Sequence, residues 1–396
     1  MARATTGTRS GSGAARTQPR EGEALFATAA KGTEGALRDE LRALRFRDVR
    51  ADRGGVHFRG SLAEGYRACL ELRTAMRVLV EVAHFEAPSE VALYEGVRAI
   101  DLGAYLSTET TLAVRASVRS SRLTHSHYVA LKTKDAIVDR LRDELGARPD
   151  VDTEDPDVLV SVHLAKDVAT VYLDLSGEPL FMRGYRGDQR AAPLKETLAA
   201  SLVVLSGWRG DELFVDPMTG SGTIAIEAAL FAARVAPGLV QKRGFGFERW
   251  RSFGERERRA WGELVEAARE RGARGLAETR DLVVARDLDP RALEATRENA
   301  ARAGVQLRIE EKDAAELALD EPSTVILNPP YGERIALEPE STRAIGRALA
   351  RLSRSTVGVI TADPGFLEAI PRRYTRYVDL MNGDLESRFA MFERRS

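Results

Sequence analysis

The chain has a single cysteine, Cys69, so no disulfide can form within it and no cysteine cluster can hold a metal. Histidine is nearly as scarce, at five residues, and no metal site is expected. No run approaches the ~20 consecutive apolar residues of a membrane-spanning helix, so no membrane partner is expected. An excess of one charge is also missing. With a net charge of -1 the protein cannot attract a polyanion as a whole, and any nucleic-acid contact must come from local basic patches. The first residues lack the apolar core of a secretory signal, which leaves the cytoplasm as the expected compartment.

What is present is ordinary for a globular protein: 396 residues, 43% hydrophobic and 30% charged, enough for two or three domains with their own cores. The start, "MARATTGTRSGSGAARTQPR", is rich in Arg, Ser and Gly and free of acids. It has too few apolar residues for an amphipathic helix and reads as a disordered basic tail over residues 1–22.

Order begins at "EALFATAAKGTEGALRDELRALRF", a short strand and then a helix with Leu37, Leu41 and Leu44 on one stripe. "GGVHFRG", a helix near residues 62 to 74 and "MRVLVEVAHF" complete a small α+β unit over 23–87. A second unit, 88–178, holds the alternating strand "TLAVRASVRSS" and the helix "KTKDAIVDRLRDELG", stopped by Gly146. "VLVSVHLAKDVATVYLDLSG" follows as a hairpin turning at Lys166-Asp167. Arg115, Arg119, Arg122, Lys132 and Lys134 lie on or beside these elements. They form either a solvated charged face or a local RNA contact.

From about residue 190 strands alternate with helices: "LFVDP", "DLVVARDLD", "VQLRIEEKDA", "STVILNPPY" and "TVGVITAD". "RYVDLMNGDLESRFAMFE" then places Asn382-Gly383 between two β-rich runs, a hairpin signal. The expected architecture over 179–396 is α/β, a doubly wound parallel sheet ending in an antiparallel hairpin.

Two stretches carry chemistry. "FVDPMTGSGT" is a strand, a glycine turn and a helix start. Gly220 and Gly222 permit unusual backbone angles and close approach, and the helix amides at Thr223 could receive a carboxylate. Asp216, at the strand tip, could accept from a ligand ammonium, and Met218 and Thr219 line the turn. Such a turn alone is as often structural as functional. The next strand ends in Asp287, placed to accept from both ribose hydroxyls, and the third is followed by Asp313, placed to accept from an adenine amine. Asp289 is the cap of the helix that begins at Pro290. No Walker lysine follows the glycines, and the full G-x-G-x-x-G spacing is missing. A glycine turn, a ribose acid and an adenine acid without a phosphate anchor point to S-adenosylmethionine.

The second stretch is Asn328-Pro329-Pro330-Tyr331 at the end of the fourth strand. Two prolines stop the strand and leave a stiff projection. The Asn328 side-chain oxygen, which also borders the cofactor, and the Pro329 carbonyl could bind both hydrogens of a planar exocyclic amine and direct its lone pair. Tyr331 could stack on the base.

With "LFATAAKGTEGALRDEL", "GGVHFRG", "FMRGYR", "APLKETLAA", "DPMTGSGTIAIEAAL", "DLDPRALEATRENAARAG", "NPPYGERI" and "NGDLESRF", the chain resembles class I S-adenosylmethionine-dependent RNA methyltransferases with a THUMP domain. The match is strongest to the 23S rRNA guanine-N2 methyltransferase family. The resemblance implies a Rossmann-like seven-stranded catalytic domain preceded by a ferredoxin-like segment and a THUMP RNA-binding domain. It also implies Asn328 to Tyr331 as the guanine site, and RNA as partner, as 23S rRNA or a pre-ribosomal particle. A tRNA guanine-N2 enzyme is the nearest alternative, and a DNA adenine-N6 methyltransferase the next. Many relatives carry cysteine where this chain has Thr219, a change a small hydroxyl should tolerate. An insert, "APGLVQKRGFGFERWRSF", carries Lys242, Arg243, Phe245, Phe247 and Trp250. It could grip RNA or pack on a helix. Some relatives fuse a second methyltransferase unit at the carboxyl end; a chain that stops at Ser396 is expected to carry none.

Overall fold

The computed structural model describes residues 22–187, 194–241, 243–330 and 337–394. The expected basic tail, apart from Gly22, therefore lies outside the described residues, as do Lys242 and Tyr331. Two sheets organise the chain. The first is built from β1 (Glu23–Thr28), β2 (Arg47–Asp52), β3 (Gly55–Gly60), β4 (Arg77–Glu86), β5 (Thr111–Arg119), β6 (Asp150–Val151), β7 (Val158–Ala165) and β8 (Val168–Asp174). Its spatial order is β2-β3-β1-β4-β8-β7-β5-β6. β4 pairs antiparallel with β1 on one side and with β8 on the other. The strands of the first unit and the strands after Pro88 thus share one continuous sheet.

Side chains alternate across this sheet, as the pleat requires. Leu25, Ala27, Val56, Phe58, Val78, Val80, Leu112, Val160, Val162 and Val171 enter one core with the helices Glu34–Ala43, Leu62–Glu71, Glu90–Arg98 and Ser126–Leu145. The hairpin between β7 and β8 turns at Lys166 and Asp167, both with positive φ, as two-residue hairpin loops prefer.

The second sheet contains β9 (Leu213–Asp216), β10 (Val283–Asp287), β11 (Arg308–Glu311), β12 (Ser323–Leu327), β13 (Ser355–Thr361), β14 (Arg376–Asn382) and β15 (Leu385–Phe392). The order is β11-β10-β9-β12-β13-β15-β14, with five parallel strands followed by an antiparallel pair. This is the expected architecture. One detail differs: Asn382 is still paired with Leu385, so the turn residues are Gly383 and Asp384. The sheet reverses direction at β9, with β10 on one side and β12 on the other. Ligands in open α/β folds bind at such a switch point.

The halves interlock. The insert after helix Thr223–Ala232 sends Phe245, Phe247 and Trp250 into the core of the amino-terminal sheet, all 4% exposed or less. Phe247 stacks on Tyr66 at 4.0 Å, and its amide donates to the Leu175 carbonyl. The chains cross at Gly177 and Gly246, where a Cβ on either would come within 3.0 Å of the other's backbone. Of the two readings of the insert, these aromatics take the packing one: they are buried in the core. Nearby, the "FMRGYR" segment places Arg183 against Glu227 on helix Thr223–Ala232, Nε to Oε1 at 2.9 Å. Arg183 also donates to the Arg73 carbonyl of the amino-terminal half, and the Tyr185 hydroxyl donates to Glu227 at 3.1 Å.

Candidate active site

Strand register gathers the sequence candidates at one edge. Asp216 ends β9 opposite Ala285, so Asp287 projects two residues further along β10. Asp287 in turn lies opposite Glu311, and Asp313 follows two residues later. On the other flank Val215 faces Val325, which carries Asn328 two residues past the level of Asp216.

The glycine turn between β9 and helix Thr223–Ala232 is held from several sides. Gly220 and Gly222 have φ of +55° and +85°, where an L side chain is strained. The Gly220 amide donates to Asp287 Oδ2 at 2.9 Å, and the Thr219 amide to the Arg286 carbonyl at 2.8 Å. A Cβ on Gly222 would meet Thr296 Cγ2 at 2.8 Å, so the close approach there is to protein. Nothing stands within 4 Å of a Cβ on Gly220. Thr296 and Asn299, on helix Pro290–Ala303, donate to the carbonyls of Gly220 and Ser221, both at 2.9 Å. These two positioning residues escaped the sequence reading, although their i, i+3 spacing put them on one helix face. Asp289 caps that helix by accepting from the Arg291 amide at 2.9 Å.

Buried polar atoms without partners are rare in folded proteins. Three of the few among the described residues lie here: Asp216 Oδ2, Thr219 Oγ1 and Asn328 Oδ1. Asp216 is 1% exposed, and burial pushes its pKa up to about 7. The Met218 amide, donating to Asp216 Oδ1 at 3.4 Å, opposes this rise, and the charge of Asp287 adds to it. Thr223, opening the helix, is buried as well.

Asp287 accepts from Gly220 with one oxygen and from the Asp289 amide with the other, at 3.1 Å. Each carboxylate oxygen keeps a second acceptor site for a ligand hydroxyl. Asp313 uses Oδ1 to cap the Ala315 amide at 2.8 Å. Met218, Asp287 and Asp313 line a cavity of about 240 Å³, closed by Leu288, Leu337 and Ile345. The last two carried no sequence signal. A second cavity, about 470 Å³, opens at the tip of β13, on the other side of β12. Thr361, Met381 and Arg388 line it together with Lys31 of the amino-terminal half. Pro329 is buried between these regions.

The five basic candidates do not form one patch. Arg115 and Arg119 lie on the sheet face opposite the helices, because Val114, Ala116 and Val118 pack into the helix-facing core. Lys132 and Lys134 ride on helix Ser126–Leu145, on the other side. Lys134 pairs with Asp135 at 3.0 Å, Lys132 sits over the Tyr94 ring, and Arg122 pairs with Asp167 at 3.4 Å. Of the insert's charges, Arg243 pairs with Glu178 at 2.6 Å.

Among the described residues no helix is long and apolar enough to cross a membrane, and no group of three metal-ligating side chains occurs. Residues 183–390 match the family model for the RMKL-like methyltransferase domain. Residues 87–174 match the THUMP domain, and residues 24–79 the RlmL ferredoxin-like domain. The chain is 40% identical over 386 residues to a ribosomal RNA large subunit methyltransferase K/L from Syntrophotalea carbinolica, covering 93% of this chain. It spans only 53% of that curated relative. Among solved structures, SMU.472 in complex with SAH aligns with a TM-score of 0.83 and 30% identity, covering 95% of this chain and 99% of that one. A protein from Listeria monocytogenes described as a predicted N6-adenine-specific DNA methylase aligns at 0.84 with 30% identity, covering 95% and 97%. TrmN from Thermus thermophilus, 23% identical with a TM-score of 0.67, shares the fold across 94% of this chain and 99% of that one.

Proposed function

For a chain that belongs to the RMKL-like methyltransferase family, we propose transfer of a methyl group from S-adenosylmethionine to the exocyclic N2 of a guanine in RNA, most specifically 23S rRNA. The single observation carrying this reading is the convergence of three unpartnered buried acceptors, Asp216 Oδ2, Thr219 Oγ1 and Asn328 Oδ1, on adjoining strand tips. When bound, the cofactor supplies an electrophilic methyl group. Asp216 would hold its ammonium, the amides opening helix Thr223–Ala232 its carboxylate, Asp287 its ribose hydroxyls and Asp313 its adenine amine. Met218, Thr219, Gly220 and Gly222 would form the floor beneath it.

Asn328 Oδ1 and the Pro329 carbonyl accept the two amine hydrogens of the target base, which turns the nitrogen lone pair toward the cofactor. Pro330 fixes the backbone of that ledge, and Tyr331 is proposed as the stacking ring. Holding reactants in an attack geometry can remove ~7–11 kcal/mol of barrier. A base must leave its stack to reach the ledge, at a cost of a few kcal/mol, least from a loop. The amino-terminal sheet, over 23–87 and 88–178, would hold the RNA while 179–396 performs the transfer, in the cytoplasm.

The test is incubation with labelled S-adenosylmethionine and undermodified ribosomal RNA, followed by digestion to nucleosides. Label in N2-methylguanosine is the expected result. Label confined to N6-methyladenosine overturns the reading, and a preference for tRNA over rRNA transfers it to the tRNA alternative.

A further inference from the structure

The amino-terminal sheet is covered by helices on one face only, and the other face carries an unusual row. Reading directly across the strands, His57 of β3 faces Phe26 of β1, and Phe26 faces Leu79 of β4. Leu79 in turn faces Asp174 of β8; two residues along β8, Tyr172 faces Glu81 of β4 on one side and Ser161 of β7 on the other, and Ser161 faces Arg115 of β5. The rings cluster, with Phe26 4.6 Å from His57 and 6.1 Å from Tyr172. Together with Arg53, Arg77 and His163 these residues line a trough of about 370 Å³. Six strands at ~4.8 Å spacing make the row about 24 Å long.

Charge distinguishes this face from an ordinary solvated one. Arg77 is committed to buried Asp174 at 2.5 Å. Arg53, Arg115 and Arg119 make no ion pair among the described residues. Asp52, at 3.5 Å from His57, is the one acid lining the trough, and Glu81 stands on the same face beside Tyr172, so that two acids meet Arg53, Arg115 and Arg119. A phosphate backbone complements that surplus, and flat apolar rings beside it suit unstacked bases, whose faces bind aromatics whatever their sequence. A double helix would not do: its bases are stacked inward and cannot reach rings recessed among strands.

We infer that this face is a second RNA site, a platform that holds a single-stranded segment of the substrate with bases on Phe26 and His57, backed by the buried Tyr172 ring, and phosphates on Arg115 and Arg119. It deepens the reading of the protein as an RNA methyltransferase and rests on it. The platform is composite. Phe26 and His57 come from the ferredoxin-like segment, Tyr172 and Arg115 from the THUMP segment, and the shared β4 holds them in register.

The experiment uses the full chain and a fluorescein-labelled, unstructured hexaribonucleotide, with a duplex of the same sequence as competitor. The single strand should bind and the duplex should compete poorly. Phe26→Leu, which keeps the site apolar, should weaken binding by roughly 5- to 150-fold, the range for losing one base–ring stack. Phe26→Trp should restore it. Arg115→Ala and Arg119→Ala should each flatten the logarithmic salt dependence by about 0.7. Unfolding curves and S-adenosylmethionine affinity should not move in these variants. Equal binding by wild type and Phe26→Leu, or preference for the duplex, overturns the platform. Methyl transfer to ribosomal RNA is scored on the same samples. A wild type that methylates RNA but ignores the hexamer sinks the platform alone; one that binds the hexamer but transfers nothing sinks the methylation reading alone.

Discussion

Glu227→Ala offers a direct test of how the two halves are joined. Glu227 is fully buried, and its partner Arg183 is 2% exposed. The wild-type pair is bidentate, with Arg183 Nε at 2.9 Å and Nη2 at 3.3 Å, and Tyr185 adds a hydroxyl at 3.1 Å. Truncation leaves a buried guanidinium with carbonyl acceptors at Leu180 and Arg73 but without its carboxylate. Removing one member of a buried pair costs ~3–5 kcal/mol. The Tyr185 hydroxyl adds ~1–3 kcal/mol if it finds no other acceptor, though terms within one network do not sum. A net loss of ~3–5 kcal/mol is therefore expected, a large part of the ~5–15 kcal/mol that stabilises typical folds. Equilibrium urea unfolding measures it. The double variant Arg183→Met, Glu227→Leu should recover most of the loss, because paired apolar replacement avoids the stranded charge. A single variant losing under ~1 kcal/mol, or a double variant no better than the single, refutes the reasoning.

Asp216 predicts a pH effect on binding. With its pKa raised to about 7 by burial, it is mostly protonated at pH 6, whereas a ligand ammonium requires the carboxylate. Affinity for S-adenosylmethionine should rise about tenfold from pH 6 to a plateau above 7, with about one proton released per ligand at pH 6. Calorimetry in buffers of different ionisation enthalpy reads both, and a flat profile that Asp216→Asn leaves unchanged contradicts the assignment. The same group lowers stability as pH climbs from ~4 to ~7, since an unfolded aspartate ionises near 3.9 while the folded one still holds its proton. Asn328→Ala should keep cofactor affinity and lose about 10²-fold in turnover. Asp287→Ala should weaken affinity roughly 10- to 150-fold, the loss of a charged hydrogen-bonding group. Opposite phenotypes in paired binding and turnover assays would exchange the two roles.

The catalytic sheet was legible because its signals are local. Glycines past a strand, Asp289-Pro290 at a helix start and prolines after "TVIL" each act within a few residues. The acids could be assigned to strand tips because parallel strands advance in step. Less was visible where meaning depends on distant partners. Helix Glu255–Glu278 is heavily charged with few buried positions, so its pattern gives little periodicity. The insert's aromatics read equally well as an RNA grip or as packing until Tyr66, nearly two hundred residues earlier, was seen beneath Phe247. Likewise Arg115 and Arg119 parted from Lys132 and Lys134 onto opposite faces, since strand alternation and helix placement decide direction, not proximity along the chain.

The plug formed by Phe245, Phe247 and Trp250 has a practical corollary. A fragment ending near residue 178 would open a hole where those rings belong, and a fragment beginning there would present them to water. Neither half is a free-standing cassette to be shuffled onto another partner. Their rings belong to one core, so the two halves are expected to fold together.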